Sequence, residues 1–148
     1  MSTIIVTFII SSVLGLLCLA ALEYSLTRWV QPRRYWFHFN SVEAEKPIYR
    51  VGEPIRFISN AEYYRRGDYY FSDILETQEE DGTWSYYSHY KSERLNRDIN
   101  MKRSGKWMYH GAIPGEPCKC RLVSTTQVPV GYGLIKKQTT LSCPFEIK

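Results

Sequence analysis

The chain has 148 residues with a net charge of +4, and 15% of its residues are aromatic. This length suits one membrane segment with one folded domain, and it excludes two ordinary domains beside such a segment. Basic and acidic residues are interleaved along the chain rather than clustered, which argues against a nucleic-acid-binding protein.

The first predicted element is an apolar helix at the N-terminus. Residues 3–22 read TIIVTFIISSVLGLLCLAAL, and no charged side chain precedes Glu23. About 20 apolar residues, rising about 1.5 Å each, span the hydrocarbon core of a bilayer. A cleaved signal peptide is the alternative, since a small-residue site lies at residues 18–20, but the run lacks a basic start and is long for a signal core. We therefore expect an uncleaved anchor in residues 1–27, with the lipid bilayer as partner.

A basic and aromatic connector, residues 28–36, follows the anchor. Such residues are typical of the membrane–water interface. The positive charges on this side would place the domain in the cytoplasm by the positive-inside rule, whereas the domain's cysteines favour an oxidising compartment. We expect an inner-membrane protein with a periplasmic C-terminal domain. The predicted interface residues are Tyr24, Arg28, Trp29, Arg33, Arg34 and Trp36.

Residues 37–148 have the pattern of a β domain. Short runs of alternating apolar and polar residues are separated by turn residues, which is typical of antiparallel strands. The Asp81-Gly82 dipeptide predicts a hairpin. Residues 91–106 are charged and unpatterned, and we expect a long connection there. The predicted strands occupy residues 37–40, 48–51, 55–59, 69–76, 83–90, 107–113, 120–127 and 139–147.

The last two predicted strands form a hairpin that carries cysteines. Its alternation places Leu122 opposite Leu141, and the same register places Cys120 opposite Cys143. The Cα separation of such a pair, about 4.5–5.5 Å, admits a disulfide that would contribute about 3 kcal/mol. Two alternatives stay open. The three domain cysteines could bind zinc together with His110, although their C-x-C spacing is tight for zinc, or they could be plain buried thiols.

Tyrosines are the candidate contact residues of the domain. Adjacent residues in a strand point to opposite faces, so about half of the paired tyrosines cannot belong to the core. Exposed tyrosine is enriched at protein contacts, while the alternative is that tyrosine serves here as a strong β former. The interaction candidates are Tyr63, Tyr64, Tyr69, Tyr70, Tyr86, Tyr87 and Tyr90.

Motifs of catalysis and cofactor binding are missing from the sequence. It contains no G-x-S-x-G, no H-E-x-x-H, no phosphate-binding loop and no glycine-rich dinucleotide turn. His38, His89 and His110 lie far apart without an obvious acid or nucleophile as partner. The Arg66-Gly67-Asp68 triplet lies in a predicted loop, where turn propensity alone explains it. We predict no catalytic residues, no metal, no cofactor and no small-molecule substrate.

Three stretches of the chain resemble immunoglobulin-like domains. Residues 113–126 lead from a Pro-Gly corner into a strand, and residues 141–147, LSCPFEI, resemble the last strand of such domains. Residues 49–55 are similar to the entry into their second strand. The chain resembles small single-span proteins of tailed bacteriophages and prophages that carry such a domain. The resemblance implies an all-β fold, an antiparallel immunoglobulin-like β-sandwich preceded by one transmembrane helix. The chain lacks the inter-sheet cysteine pair and the buried-tryptophan spacing of antibody domains.

The sequence therefore predicts a non-enzymatic, membrane-anchored protein-interaction module. The resemblance implies a phage or prophage origin, with the domain presented at the cell envelope to an unidentified protein partner. The first alternative is a structural subunit of a larger membrane-embedded or virion assembly. The second is an enzyme with an unrecognised site.

Overall fold

A long N-terminal helix precedes a domain made mostly of β-strands, as predicted. The computed structural model describes residues 2–91, 95–97, 101–131 and 133–148. Helix α1, Ser2–Val30, is about 43 Å long at the standard rise. Its segment Ile5–Val30 is long and apolar enough to cross a membrane, and its most apolar stretch is not buried in the domain. A short 3₁₀ helix, Arg33–Tyr35, joins α1 to the first strand.

Ten described strands form the domain. The hairpin predicted at Asp81-Gly82 is confirmed, since Gly82 has a φ of +86° and the Glu79 N–H donates to the Thr83 carbonyl at 2.8 Å. In chain order the strands are β1 Phe37–Ala44, β2 Ile48–Tyr49, β3 Arg56–Tyr63, β4 Gly67–Gln78, β5 Trp84–Lys91, β6 Leu95–Arg97, β7 Met101–Met108, β8 Cys118–Gly131, β9 Leu134–Leu141 and β10 Phe145–Ile147.

The strands make two open sheets that share one hydrophobic core. The smaller sheet has the order β1-β3-β7 and is antiparallel throughout. The larger sheet has the order β2-β10-β8-β4-β5, with β9 paired to β8 and β6 paired to β4. The one parallel pair among the described strands is β2 with β10. Phe57 of the smaller sheet meets Phe145 of the larger one, with ring centroids 5.7 Å apart, so the sheets are in direct contact there.

The junction between α1 and the domain is built around Trp36, which is 1% exposed. Its carbonyl accepts hydrogen bonds from the Tyr64 N–H at 2.9 Å and from the Tyr69 hydroxyl at 3.1 Å. The Arg28 guanidinium lies 5.0 Å from the centre of its ring. The prediction of Trp36 as a membrane-interface residue is therefore wrong, because the domain itself buries the indole.

One edge of the two-sheet domain is closed by side-chain bridges between β1 and β9. The Gln138 amide accepts a hydrogen bond from the Phe39 N–H at 2.9 Å and donates one to the Phe39 carbonyl at 2.8 Å. These two bonds imitate the pairing of a neighbouring strand. Nearby, the Cys143 N–H donates to the Glu43 carboxylate at 2.9 Å. We call this side of the domain the closed edge.

The predicted register of the last hairpin is wrong. Val123, rather than Leu122, is opposite Leu141. The reason is that residues 139–147 are not one strand. The ladder stops after Leu141, and the Leu122 N–H then donates to the Ser142 hydroxyl at 2.8 Å instead of to a strand carbonyl. Pairing resumes in β10.

The interrupted strand also removes the predicted Cys120–Cys143 disulfide. Cys120 is buried opposite Phe145, Cys143 is exposed, and both thiols are free. The nearest thiol to Cys120 is that of Cys118, with the two Sγ atoms 3.5 Å apart. Burial raises the pKa of the Cys120 thiol, and the Glu43 carboxylate raises that of Cys143. Both effects favour the protonated thiol over the thiolate.

Two predicted connections contain strands instead. The loop expected at residues 60–68 shrinks to residues 64–66, because β3 runs to Tyr63 and β4 begins at Gly67, which pairs with Arg97. The connection expected at residues 91–106 contains β6 and most of β7, while its residues 92–94 and 98–100 lie outside the described part. Charged side chains suit β7 because it is an outer strand, and they hide its alternation from the sequence.

Candidate binding cleft between the sheets

Opposite the closed edge, the two sheets diverge around a cleft with a volume of about 290 Å³. Its lining includes Tyr90 of β5 and five residues of β7, and these two are the outer strands of their sheets among the described strands. Phe39 and Tyr63 line its inner end, and Tyr90 and Trp107 line its sides. We call this side of the domain the open edge.

A buried carboxylate forms part of the cleft floor. Alternation along β4 turns Phe71, Asp73 and Leu75 inward, and Asp73 is 4% exposed. The Ser124 hydroxyl, directly opposite on β8, donates to Asp73 Oδ1 at 2.6 Å. Oδ2 accepts no hydrogen bond from any residue that the structure describes. This oxygen is the one acceptor of the carboxylate that remains for a ligand.

The position of Asp73 changes its protonation. Burial raises the pKa of Asp73 to about 6, while the hydrogen bond from Ser124 acts in the opposite direction. At pH 7 the carboxylate is mostly ionised in apolar surroundings, which is costly without a partner. A ligand that brings a hydrogen-bond donor or a cation to Oδ2 would remove part of that cost.

The rim of the cleft is basic. Arg103, Lys106 and His110 line the side formed by β7 and the segment after it. Lys106 is paired with Glu45, with Nζ 2.5 Å from Oε1. The His110 ring lies 5.4 Å from the Tyr90 ring. The cleft therefore combines an anionic floor, aromatic sides and a cationic rim.

The structure separates the seven predicted contact tyrosines. Tyr63 and Tyr69 are core residues whose rings meet at 4.8 Å, so the exposed contact role predicted for these two is wrong. Tyr90 lines the cleft. Tyr64 and Tyr70 are half-buried, while Tyr86 and Tyr87 are exposed.

Tyr86 and Tyr87 are both exposed because β5 contains a β-bulge. Ser88 is opposite Leu75 and Tyr86 is opposite Glu76, so Tyr87 is an extra residue with no partner on β4. The inward alternation resumes with Ser88 and Tyr90. Sequence alternation alone places one ring of such a pair on each face, and it cannot show a bulge.

The predicted interface residues lie around the end of α1. Tyr24, Arg34 and Trp29 are exposed, and Arg28 and Arg33 are half-buried. The Trp29 carbonyl accepts a hydrogen bond from Lys136 Nζ at 2.8 Å. This contact joins the C-terminal end of the helix to strand β9. The membrane contact of these residues stays a prediction.

One pair of polar side chains was missed by sequence reasoning. Ser72 Oγ and His89 Nε2 lie 2.8 Å apart on neighbouring strands β4 and β5. Their distance of 17 residues along the chain gives no motif. The pair is exposed on the outer face of the sheet, outside the cleft, whereas Asp73 points inward. A polar cross-strand contact accounts for this geometry.

The zinc alternative does not find its ligands together. No three His, Cys, Asp or Glu side chains of the described residues are grouped so that they could hold a metal ion. His110 lies at the rim of the cleft, while Cys118 and Cys120 lie where β8 pairs with β10.

Comparisons with known proteins give a fold and no family. No family model and no curated protein matches the chain. The solved structure of the Pseudomonas fluorescens alkylpurine DNA glycosylase AlkC, bound to DNA containing an abasic site analog, matches with a TM-score of 0.52 and 9% identity. The match covers 76% of this chain and 30% of that one, so this chain spans about a third of its length.

Two further structures match at lower scores. The sporulation control protein Spo0M of Bacillus subtilis has a TM-score of 0.48 and 11% identity, over 76% of this chain and 49% of that one. The C-terminal domain of wzt has a TM-score of 0.48 and 9% identity, over 82% of this chain and 84% of that one. At such identities the likeness concerns the fold alone, and we draw no function from it.

Proposed function

We propose that this protein is a non-enzymatic recognition module that binds an extended segment of a partner protein in the cleft at its open edge. The observation that carries the proposal is that residues of two outer strands, β5 and β7, line the cleft. An outer strand presents unpaired backbone N–H and C=O groups, to which an extended segment can add as a further strand. The cleft then receives alternate side chains of that segment.

The residues of the cleft define the chemistry of the segment. Tyr90 and Trp107 offer aromatic surface to an apolar side chain. Asp73 Oδ2 requires a hydrogen-bond donor or a cation at the inner end. Arg103 at the rim favours an acidic residue farther out. We therefore expect an extended segment that carries an apolar residue and a donor side chain on one face, with an acidic residue nearby.

The setting of the module is part of the proposal. Helix α1 holds an immunoglobulin-like sandwich at the periplasmic face of an inner membrane, in a phage or prophage context. The exposed apolar helix supports the anchor, and the two-sheet domain supports the sandwich. The membrane anchor confines the module to a thin layer at the bilayer surface. This confinement raises the effective concentration of a partner in the same layer, which favours recognition by a small cleft.

The test fills the cleft and leaves the fold alone. Gly105 lines the cleft on β7, and a Cβ built there meets no heavy atom within 4 Å. Gly105→Trp therefore fills the space with an indole. Ser104→Trp, on the opposite face of the same strand, is the matched control. Full-length protein in nanodiscs is used to select extended peptides from a displayed library, and affinities are measured by titration.

We expect the selected peptides to lose at least tenfold in affinity with Gly105→Trp and to bind Ser104→Trp as they bind the parent. Asp73→Asn should weaken the same peptides, because the amide replaces an anionic acceptor. Equal binding to both tryptophan variants would place the peptide elsewhere. Failure to select any cleft-dependent peptide would remove the proposal.

A further inference from the structure

We propose that the turn end of the β8–β9 hairpin, residues 129–131 and 133–137, is a lipid-contact element that rests on the headgroup layer of the bilayer holding α1. The inference relies on the proposed membrane anchor and adds a second contact surface to it. The hairpin end contacts the lipid surface itself, because it is continuous with the end of the helix that enters the bilayer.

The hairpin end is fixed beside the C-terminal end of α1. Lys136 Nζ donates to the Trp29 carbonyl, in the last turn of the helix, at 2.8 Å. Arg65 Nη2 donates to the Gln31 side chain at 3.0 Å, which binds the segment after the helix to the β3–β4 loop. Together with the buried Trp36, these bonds hold the domain against the end of the helix.

The height of the helix end places the hairpin near the lipid headgroups. If the hydrocarbon core ends at Glu23, the first charged residue, Trp29 lies about 9 Å farther along the axis. The headgroup layer is about 5–7 Å thick on each side of the bilayer. The Trp29 carbonyl, and with it Lys136, is then within a side chain's length of the headgroups.

The chemistry of the hairpin end suits an interface. Ile135 is 53% exposed and Leu134 is 43% exposed, so two aliphatic side chains project from this end of the domain. Lys137 is exposed beside them, and Arg34 is exposed in the 3₁₀ helix. Apolar side chains with neighbouring cations are the composition of segments that lie at the surface of anionic membranes.

The experiment measures immersion depth on the full chain. Nitroxide labels are placed singly by Ile135→Cys, by Ile48→Cys and by Leu16→Cys, after the exposed Cys18 and Cys143 are changed to Ser. Ile48 is the matched control because it is 48% exposed and lies at the opposite end of β8. The protein is reconstituted in nanodiscs with 30% phosphatidylglycerol in phosphatidylcholine. Collision rates with oxygen and with a water-soluble nickel chelate are then compared.

We expect the Ile135 label to collide at least threefold less often with the nickel chelate than the Ile48 label does, and more often than the Leu16 label does. A Leu16 label in the hydrocarbon core, with an Ile135 label as accessible as that at Ile48, would overturn the hairpin contact alone. A Leu16 label freely accessible to the chelate would overturn the membrane anchor, and the inference would fall with it.

Discussion

The closed and open edges of the domain face the same geometric problem and solve it differently. Both lie where an outer strand of one sheet meets the other sheet. At the closed edge, Gln138 satisfies both backbone groups of Phe39, as a paired strand would do. At the open edge a cleft separates β5 from β7, and the Asp73 carboxylate keeps one oxygen without a partner among the described residues.

The difference separates stabilising polar groups from costly ones. A buried polar group with its hydrogen bonds made contributes modestly to stability, whereas one that lacks them is expensive. The Gln138 bridge at the closed edge follows the first rule, whereas the buried Thr140 hydroxyl on the same strand has no partner among the described residues. At the open edge the buried Asp73 carboxylate accepts one hydrogen bond, from Ser124, and so sparsely bonded a buried charge in a folded domain points to a ligand. Three sets of substitutions test this difference between the two edges.

The largest expected effect comes from deleting a ring where the sheets are in contact. Phe57→Ala should lower the free energy of unfolding by about 3–5 kcal/mol, because Phe57 is fully buried and its ring contacts rings of both sheets. Phe71→Ala, which removes a half-buried ring from the cleft, should lower the free energy of unfolding by no more than about 2 kcal/mol. Urea unfolding of the full chain in micelles, followed by near-UV circular dichroism, gives both values. Equal losses would mean that the open edge is packed as tightly as the core.

Next in size is the removal of the buried charge at the open edge. Asp73→Asn should raise the stability at pH 7 by up to about 3 kcal/mol, since burial raises the pKa of the Asp73 carboxyl from its ordinary value of 3.8 to about 6. The Ser124 hydroxyl can still donate to the amide oxygen.

The pH dependence of the free energy of unfolding tests the sign of this effect. A carboxyl whose pKa is raised by folding binds its proton more tightly in the folded state, so the parent loses stability as the pH rises from about 4 through 6. The difference between Asp73→Asn and the parent should therefore be small at pH 4 and grow toward pH 7. A difference independent of pH would show that the carboxylate is not desolvated.

The smallest effect belongs to the closed edge. Gln138→Ala should cost about 1–3 kcal/mol, because it leaves the half-buried N–H and carbonyl of Phe39 without their partner. The exposed neighbour Lys137 supplies the control, and Lys137→Ala should change stability by less than about 0.5 kcal/mol. Faster hydrogen exchange of the Phe39 amide in the Gln138 variant alone would identify the mechanism. An unchanged exchange rate would mean that the bridge is not needed to close the edge.

Most of the secondary structure could be predicted because period-2 alternation survives wherever one strand face is buried. The strand at residues 83–90 and its Asp81-Gly82 turn are examples. Two features were invisible. The break at Ser142 splits the last strand and shifts its pairing, and the bulge at Tyr87 exposes two adjacent rings. Both depend on which strand lies opposite, and a single sequence does not show that.

The candidate cleft could not be predicted for a related reason. Asp73 reads as an ordinary polar residue within the aromatic strand at residues 69–76. Alternation along the strand gives the inward direction of the Asp73 side chain. Its lack of further hydrogen-bond partners depends on how two sheets diverge, and these sheets are formed by residues far apart in the sequence. The tyrosine pattern indicated contact surfaces in general, and of those seven residues only Tyr63 and Tyr90 line the cleft. Sequence reasoning identified a class of side chain and missed the carboxylate beside it.

The attachment of the domain to the end of α1 has a consequence for the direction in which the domain faces around the helix axis. Because the domain is hydrogen-bonded to the end of α1 through Lys136 and Trp29, the rotation of the helix about its own axis sets the direction in which the open edge faces. One residue added to an α-helix turns everything beyond it by about 100° and moves it by about 1.5 Å. Neighbours packed against the helix inside the bilayer would thus decide from which side a partner reaches the cleft.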